Sequence, residues 1–231
     1  ITTLAQAHAY AKPIVGLSAV LMRGFHHGAL VYLKDSGLRG PGELIGRRIG
    51  VRAWSQTTGV WVRGILRSEY GIDAARITWV TVEDAHVAEF RDPPFVVRAL
   101  AGADLPAMLR DGSIDAGVAL QGLQPGETRT VIPDAAAAAA AWFRRTGIYP
   151  ANHAICVRRD LLTEHPWLAG ELMALFTAAK EAAPQPPNDL VGDALPYGLT
   201  ANRNAIEMLT RFAAEQGLVP RATAADELFA A

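Results

Sequence analysis

The chain is organised around residues 47–63, which read RRIGVRAWSQTTGVWVR. An apolar run predicts a short strand, a hydroxyl-rich turn follows it, and apolar residues at helical spacing predict a helix after the turn. Ser55, Thr57 and Thr58 lie where the helix starts, at its unpaired N–H groups and the positive end of its dipole. The stretch therefore predicts a site for a carboxylate, with Arg63 as a charge-assisted partner. Simple capping of a surface helix is the alternative role of the hydroxyl groups.

Composition indicates a globular protein with a small-molecule ligand. The 231 residues are 50% hydrophobic and 19% charged, which is enough to bury a sizeable core. A net charge of -1 without a long basic run argues against nucleic acid or an anionic membrane surface as partner. Cys156 is the only cysteine, so the chain forms no intrachain disulfide and no thiolate metal cluster. Asp84 and His86 lack a further spaced ligand, so no metal site is predicted.

Strands and helices alternate along the chain, which predicts an α/β fold. Helices are expected at 1–10, 57–70, 105–109, 135–143 and 167–182 and around 206–212, and strands at 14–21, 29–33, 49–51, 77–82, 114–120 and 154–157. The strand, helix and strand within 49–82 form a βαβ unit, which predicts a parallel sheet. Residues 83–94 and 144–153 are expected to be exposed loops, and the helix at 167–182 is expected to bury a stripe that includes Leu175. No apolar run has the length of a membrane span.

Two segments, 23–27 and 144–153, carry arginine and histidine beside predicted strands. On extended backbone His26 and His27 point in opposite directions, so at most one of them is expected to enter a cleft. A hydrogen-bonded structural histidine and solvated surface arginines are the alternative interpretations of these segments.

The stretches 36–51 and 111–116 resemble the second lobe of type 2 periplasmic-binding folds. The resemblance implies two α/β lobes with a ligand cleft between them. We expect the first lobe to comprise residues 1–34 and 156–231, and the second lobe to comprise residues 35–155.

Further stretches resemble the 4,5-dihydroxyphthalate decarboxylase family: RGFHH at 23–27, WVRG at 61–64, RRTGIYPANH at 144–153, PYGLTANR at 196–203 and EQGLVP at 215–220. Together they span nearly the whole chain. The sequence departs from the family in two places, because the family has an opening β-α segment upstream of Ile1 and a longer connection where this chain has residues 184–195. Part of the first lobe is therefore expected to precede Ile1.

The resemblance implies a non-oxidative decarboxylation of 4,5-dihydroxyphthalate to 3,4-dihydroxybenzoate and carbon dioxide. Such a reaction needs an acid near the ipso carbon and a base near the phenol, and His27 and His153 suit the two roles in either order. The expected substrate-binding residues are Arg23, Ser55, Thr57, Thr58, Arg63, Arg145 and Thr146. The scheme requires no cofactor, and a divalent metal that bridges the catechol oxygens is kept as an alternative.

Two rival functions stay open at this point. The first is a solute-binding protein of a transporter that captures a small aromatic carboxylate in the same cleft without chemistry. The second is a decarboxylase that acts on a different hydroxylated aromatic acid. The enzyme is expected in the cytoplasm and the binding protein in the periplasm, and a secretion leader in the gene would favour the latter. The oligomeric state is not set by these residues, and a homo-oligomer is one of the alternatives.

Overall fold

The computed structural model describes residues 1–184 and 188–230, which divide into two compact units. Unit 1 comprises Ile1–Gly24 and Ile148–Ala231, and unit 2 comprises Phe25–Gly147. The chain changes unit after Gly24 and again after Gly147, which is earlier than the expected changes after residues 34 and 155. The reason lies in the strand pairing, because residues 30–33 pair with strands of unit 2 and residues 151–158 pair with the first strand of unit 1.

In chain order the elements are α1 (Thr2–Ala9), β1 (Ile14–Arg23), β2 (Leu30–Leu33), β3 (Arg48–Val51), α2 (Thr57–Tyr70), β4 (Thr78–Thr81), β5 (Val96–Arg98), α3 (Leu105–Arg110), β6 (Ala116–Val118), β7 (Thr128–Thr130), α4 (Ala135–Thr146), β8 (Ala151–Arg158), α5 (Arg159–Glu164), α6 (Leu168–Ala182), α7 (Leu199–Glu215) and α8 (Ala225–Leu228). The α/β class predicted from the sequence is confirmed.

Unit 2 is built on a mixed sheet with strand order β5-β4-β3-β6-β2-β7. The strands β5, β4, β3 and β6 run parallel, and α2 connects β3 to β4 as the predicted βαβ unit. The parallel pairing predicted from this unit is confirmed, and the sheet is mixed because β2 runs antiparallel to both β6 and β7. Apolar patterning indicates where a strand lies but not the direction in which it enters the sheet. Trp54, Trp61 and Trp79 are fully buried in this unit.

Unit 1 contains an antiparallel pair of strands, β1 and β8. The register runs from Ile14 opposite Arg158 to Arg23 opposite Ala151, with irregularities along the pair. Helix α7 buries Ile206, Leu209 and Phe212, as the helical spacing of these apolar residues predicts.

Strand β8 and helix α4 together replace most of the loop expected at 144–153. Helix α4 continues to Thr146, and Gly147 then ends it in the left-handed conformation (φ 67°) that glycine adopts without strain. Strand β8 already begins at Ala151. His153 therefore lies within a strand, and the connection between the two elements is limited to residues 147–150.

Two further expectations about burial are wrong. Helix α6 buries none of its residues, and Leu175 is 62% exposed, so the apolar stripe of this helix does not form part of a core. Residues 83–94 contain no helix or strand, as predicted, but Val87 and Phe90 are buried and anchor this segment. The connection expected to be short, 184–195, includes residues outside the described ranges. Within the described ranges, no helix combines the length and the apolarity that crossing a bilayer requires.

Candidate functional site

The start of helix α2 lies directly after strand β3, at the turn that the sequence pattern placed there. Gln56 is the N-cap residue of this helix, and its side chain makes no capping hydrogen bond. Ser55 is fully buried, and its hydroxyl oxygen accepts a hydrogen bond from the His86 N–H at 3.5 Å. Thr57 and Thr58 are half-buried in the first helical turn. The dipole of the helix favours an anion at such a start.

Arg63 lies in the second turn of α2 and is only 2% exposed. Its Nη2 donates a hydrogen bond to the Trp54 carbonyl oxygen at 2.6 Å. The guanidinium carbon lies 3.6 Å from the centroid of the Trp54 ring and 5.2 Å from that of Trp79. Burial holds the pKa of Arg63 well below its usual range, an effect that the charge of Asp92 opposes. Arg63 is thus a buried cation stacked on tryptophan rather than an exposed one.

The two adjacent histidines are both buried in unit 2. His26 is 6% exposed and stacks on Trp61, with 6.2 Å between the ring centroids. His27 is 1% exposed and meets the edge of Trp142 at 5.5 Å between centroids. Neither ring nitrogen of His27 has a hydrogen-bond partner among the described residues. Phe25 lies 6.4 Å from the His27 ring, so the imidazole sits among aromatic groups.

Burial also controls the charge of His27. It lowers the pKa of the imidazole below its usual value, the negative charge of Glu69 opposes this, and the positive charge of Arg145 adds to it. A histidine with a lowered pKa is neutral at neutral pH. The surroundings of His27 therefore favour the neutral imidazole over the protonated one.

The end of helix α4 positions Arg145 and Thr146. The Arg145 guanidinium forms an ion pair with Glu69 of helix α2 while its side chain is 57% exposed. The Thr146 hydroxyl donates a hydrogen bond to the Trp142 carbonyl oxygen at 2.9 Å, one helical turn earlier. These contacts tie the end of α4 to α2 and to the aromatic groups around His27.

Helix α2 carries two separate clusters on different faces. Trp61 belongs to the cluster with His26 and Trp142, whereas Arg63, two residues later, packs against Trp54. Two residues correspond to about 200° around a helix. The structure therefore does not bring Arg63 together with His27.

Unit 1 holds the other two expected residues, Arg23 and His153. The Arg23 side chain is half-buried, and its Nε donates a hydrogen bond to the Tyr149 carbonyl oxygen at 3.1 Å. Its Nη2 donates to the same oxygen, and the guanidinium carbon lies 5.1 Å from the centroid of the Tyr149 ring. His153 is exposed and pairs with Met22 in β1, next to Arg23 in the chain. Arg23, Tyr149 and His153 thus share one end of the two-stranded sheet.

Sequence reasoning missed the residues that hold the expected ones in place. Trp54 and Tyr149 each supply a carbonyl and a ring to an arginine, and Glu69 pairs with Arg145. Trp54 and Tyr149 lie within the highlighted segments 47–63 and 144–153, whereas Glu69 lies in neither. Each partner is nine or more residues from its arginine in sequence, at a spacing that no motif marks.

A groove on unit 2 lies apart from these residues. It is lined by residues 33–36, Arg110 and residues 124–127. Arg110 is already engaged there by the carboxylate of Glu127, with an Nε to Oε1 distance of 2.6 Å. Among the described residues, no group of three or more histidine, cysteine, aspartate or glutamate side chains is placed to hold a metal ion.

Comparison with characterised proteins gives two relatives with the same description. The chain is 32% identical over 184 residues to a 4,5-dihydroxyphthalate decarboxylase from Comamonas testosteroni, a match that covers 74% of this chain and 56% of that protein. The chain is therefore similar to a 4,5-dihydroxyphthalate decarboxylase. A second decarboxylase of this description, from Pseudomonas putida, is 33% identical over 69 residues, which cover 30% of this chain and 27% of that protein. The resemblance inferred from the motifs is confirmed, and the chain spans about half the length of the decarboxylase from Comamonas testosteroni.

Solved structures confirm the fold. A protein described as the periplasmic sulfonate-binding protein SsuA of an ABC transporter, from Methylobacillus flagellatus, superposes with a TM-score of 0.53 at 10% identity. That match covers 98% of this chain and 69% of the SsuA chain. A protein from Bordetella bronchiseptica gives a TM-score of 0.50 at 18% identity and covers 96% of this chain and 65% of that one. The chain therefore has a type 2 periplasmic-binding-protein fold. No protein-family model matches it.

Proposed function

We propose that this protein catalyses the non-oxidative decarboxylation of a hydroxylated aromatic dicarboxylate, with 4,5-dihydroxyphthalate as the substrate. The observation that carries the proposal is the 32% identity over 184 residues to the decarboxylase from Comamonas testosteroni. The fold does not carry it, because periplasmic-binding folds serve binding proteins as well as enzymes. The proposal includes a cytoplasmic location.

The reaction breaks one bond between a ring carbon and a carboxylate. The hydroxyl para to that carbon, once partly deprotonated by a base, supplies the electron density with which the ring takes up a proton at the ipso carbon. The carbon–carboxylate bond then breaks, its electron pair restores the aromatic ring, and carbon dioxide leaves. The phenol regains its proton. The dianion of the substrate thus takes up one proton and yields carbon dioxide and the monoanion of 3,4-dihydroxybenzoate.

The two histidines are assigned to the two proton transfers. We retain the base role for His27, because both of its ring nitrogens lack a hydrogen-bond partner among the described residues and one of them can accept the phenolic proton from a substrate that reaches it. We assign the acid to His153, which is exposed on strand β8 and which a substrate can reach. Placed groups of this kind contribute roughly 100- to 10,000-fold to a reaction rate.

Carboxylate binding is assigned to the α2 start in unit 2 and to Arg23 in unit 1. Ser55, Thr57 and Thr58 lie at the helix start, where the helix dipole favours an anion. Arg23 is half-buried, so part of the residue remains accessible to a ligand. Arg145 and Thr146 are retained as further donors, and the exposed guanidinium of Arg145 is the more accessible of the two.

The test is turnover by the purified protein. We expect equimolar carbon dioxide and 3,4-dihydroxybenzoate from 4,5-dihydroxyphthalate, and no carbon dioxide from phthalate, which lacks the para hydroxyl. The His153→Ala variant is expected to lose at least 100-fold in kcat. The matched control is His165→Ala, which removes another exposed histidine of unit 1 and should leave kcat unchanged.

Two results would contradict the proposal. Tight binding of 4,5-dihydroxyphthalate by the wild-type protein without release of carbon dioxide would indicate a solute-binding protein instead. Wild-type activity in His153→Ala would remove this histidine from the reaction and leave the identity of the acid open.

A further inference from the structure

The turn between β3 and α2 contains a backbone carbonyl that the regular hydrogen-bonding pattern does not use. The Gln56 N–H donates to the Ala53 carbonyl at 3.1 Å, and the first helical bond joins the Val60 N–H to the Gln56 carbonyl at 3.0 Å. Trp54, between these groups, is fully buried. A buried carbonyl without a donor is costly, so the turn needs a donor from elsewhere.

Arg63 supplies that donor. Its Nη2 lies 2.6 Å from the Trp54 carbonyl oxygen, and its guanidinium stacks on the indole ring of the same residue at 3.6 Å from the ring centroid. Arg63 therefore fixes both the backbone and the side chain of the residue that precedes Ser55. A planar guanidinium can do both at once, whereas a lysine ammonium cannot stack or present a rigid fork.

Gly59 provides the space for this arrangement. A Cβ atom at Gly59 would lie 2.9 Å from Arg63 Nη1 and 3.1 Å from Val51 Cγ2. A larger residue here would require the end of the Arg63 side chain to shift over Trp54. Glycine within a helix costs about 1 kcal/mol relative to alanine, so its presence as the third residue of α2 fits a requirement for space.

We propose that Arg63 is a positioning residue, which holds the turn at Trp54 so that the N–H groups at the start of α2 face the substrate carboxylate. This positioning role takes the place of the direct contact with the substrate that the sequence predicts for Arg63. The Arg63 side chain is 2% exposed and stacks on Trp54, so it is not presented to a ligand. The inference rests on the proposed function, in which the α2 start binds the carboxylate that the product retains.

The experiment compares Arg63→Lys and Gly59→Ala with the wild-type protein. Lysine keeps a positive charge but loses the stacked fork, and Gly59→Ala keeps Arg63 but pushes its guanidinium aside. The matched control is Gly170→Ala in helix α6, where an added Cβ meets nothing within 4 Å. Measured quantities are KM and kcat for 4,5-dihydroxyphthalate, the inhibition constant of 3,4-dihydroxybenzoate, and the near-ultraviolet circular dichroism of the tryptophans.

We expect both variants to raise KM and the inhibition constant by about ten-fold, which is the loss of roughly one hydrogen bond's worth of binding. The kcat value should change by less than two-fold, since an anchor for the retained carboxylate acts equally in the ground state and the transition state. The tryptophan dichroism should change in both variants and not in Gly170→Ala. A side chain that only supports folding would not move KM and the inhibition constant together at constant kcat.

Wild-type KM in Arg63→Lys would overturn the proposal, because a point charge would then suffice. Equal behaviour of Gly59→Ala and Gly170→Ala would overturn it as well, since displacement of the guanidinium would have no effect. Failure of the proposed function is recognised separately, by the absence of carbon dioxide from the wild-type protein. In that event the calorimetric Kd of 3,4-dihydroxybenzoate replaces KM, and an unchanged Kd in Arg63→Lys overturns the positioning role.

Discussion

Arg63 in unit 2 and Arg23 in unit 1 make the same two contacts in different surroundings. Each donates to the carbonyl oxygen of an aromatic residue and lies over its ring, Trp54 in one case and Tyr149 in the other. Arg63 is 2% exposed, whereas Arg23 is half-buried and its ring contact is longer, at 5.1 Å. The comparison teaches that the sequence around an arginine does not determine its role. Burial decides whether the cation orders the backbone or is presented to a ligand.

The largest expected effect is on stability, and it tests the buried side of the comparison. We expect Arg63→Ala to lower the free energy of unfolding by about 2–4 kcal/mol, because it leaves the Trp54 carbonyl without its donor and opens a cavity. The same change at Arg23 should cost about 1 kcal/mol or less, because Arg23 is partly solvated. Urea unfolding followed by circular dichroism measures both. Equal losses would show that the two sites do not differ in the way proposed.

Arg23, whose replacement costs little stability, should contribute directly to catalytic efficiency. Arg23→Ala is expected to lower kcat/KM by roughly 10- to 100-fold through the loss of a charge-assisted contact to a carboxylate, with little change in stability. Arg23→Lys should restore part of the loss, in contrast to Arg63→Lys. Steady-state kinetics with 4,5-dihydroxyphthalate gives the answer, and an Arg23→Ala variant as active as the wild type would remove Arg23 from the substrate site.

The pH dependence of stability tests His27, which is buried like Arg63. Burial lowers the pKa of His27 in the folded state, so below the unfolded value of about 6.5 the unfolded chain binds more protons than the folded one. The stability of the wild-type protein should therefore fall as the pH is lowered from 7.5 through 6.5 to 5. The fall should be smaller in His27→Phe, as measured by urea midpoints, and His86, whose pKa is also lowered by burial, contributes equally to both proteins. An identical pH dependence in the two proteins would contradict the assigned direction.

The smallest effect belongs to the exposed ion pair of Arg145 and Glu69. Its side chains are 57% and 23% exposed, so we expect Glu69→Gln to change the free energy of unfolding by at most about 1 kcal/mol. Arg145→Ala should change stability as little, and a larger loss in kcat/KM than in Glu69→Gln would show that Arg145 also contacts the substrate. Equal losses of kcat/KM in the two variants would show that Arg145 acts only through its ion pair with Glu69.

Local patterns predicted the element at the centre of unit 2 well. The strand, turn and helix within residues 47–63 follow from apolar spacing and from Gly71, which ends α2 in the left-handed conformation. The segment 144–153 was misjudged because its polar residues suggest a loop, whereas the alanine helix before it continues to Thr146 and the pairing with β1 extends β8 back to Ala151. Tertiary pairing overrides local polarity at such positions.

The candidate site was predictable in its residue types but not in its contacts. Ser55, Thr57 and Thr58 occupy the helix start that the pattern predicted. The role of Arg63 depends on Trp54, nine residues earlier, and on the space above Gly59, and neither is visible as a spacing in the sequence. The burial of His27 depends likewise on Trp142, which lies more than one hundred residues further along the chain.

One measurement tests the central claim most directly. The protein is incubated in deuterium oxide with 4,5-dihydroxyphthalate labelled with carbon-13 in its carboxylates, without added oxidant or reductant, and the mixture is followed by nuclear magnetic resonance. The account predicts equimolar labelled carbon dioxide and 3,4-dihydroxybenzoate that carries one deuterium on the ring carbon that lost its carboxylate. Unchanged substrate, bound or free, after prolonged incubation with folded wild-type protein would contradict it.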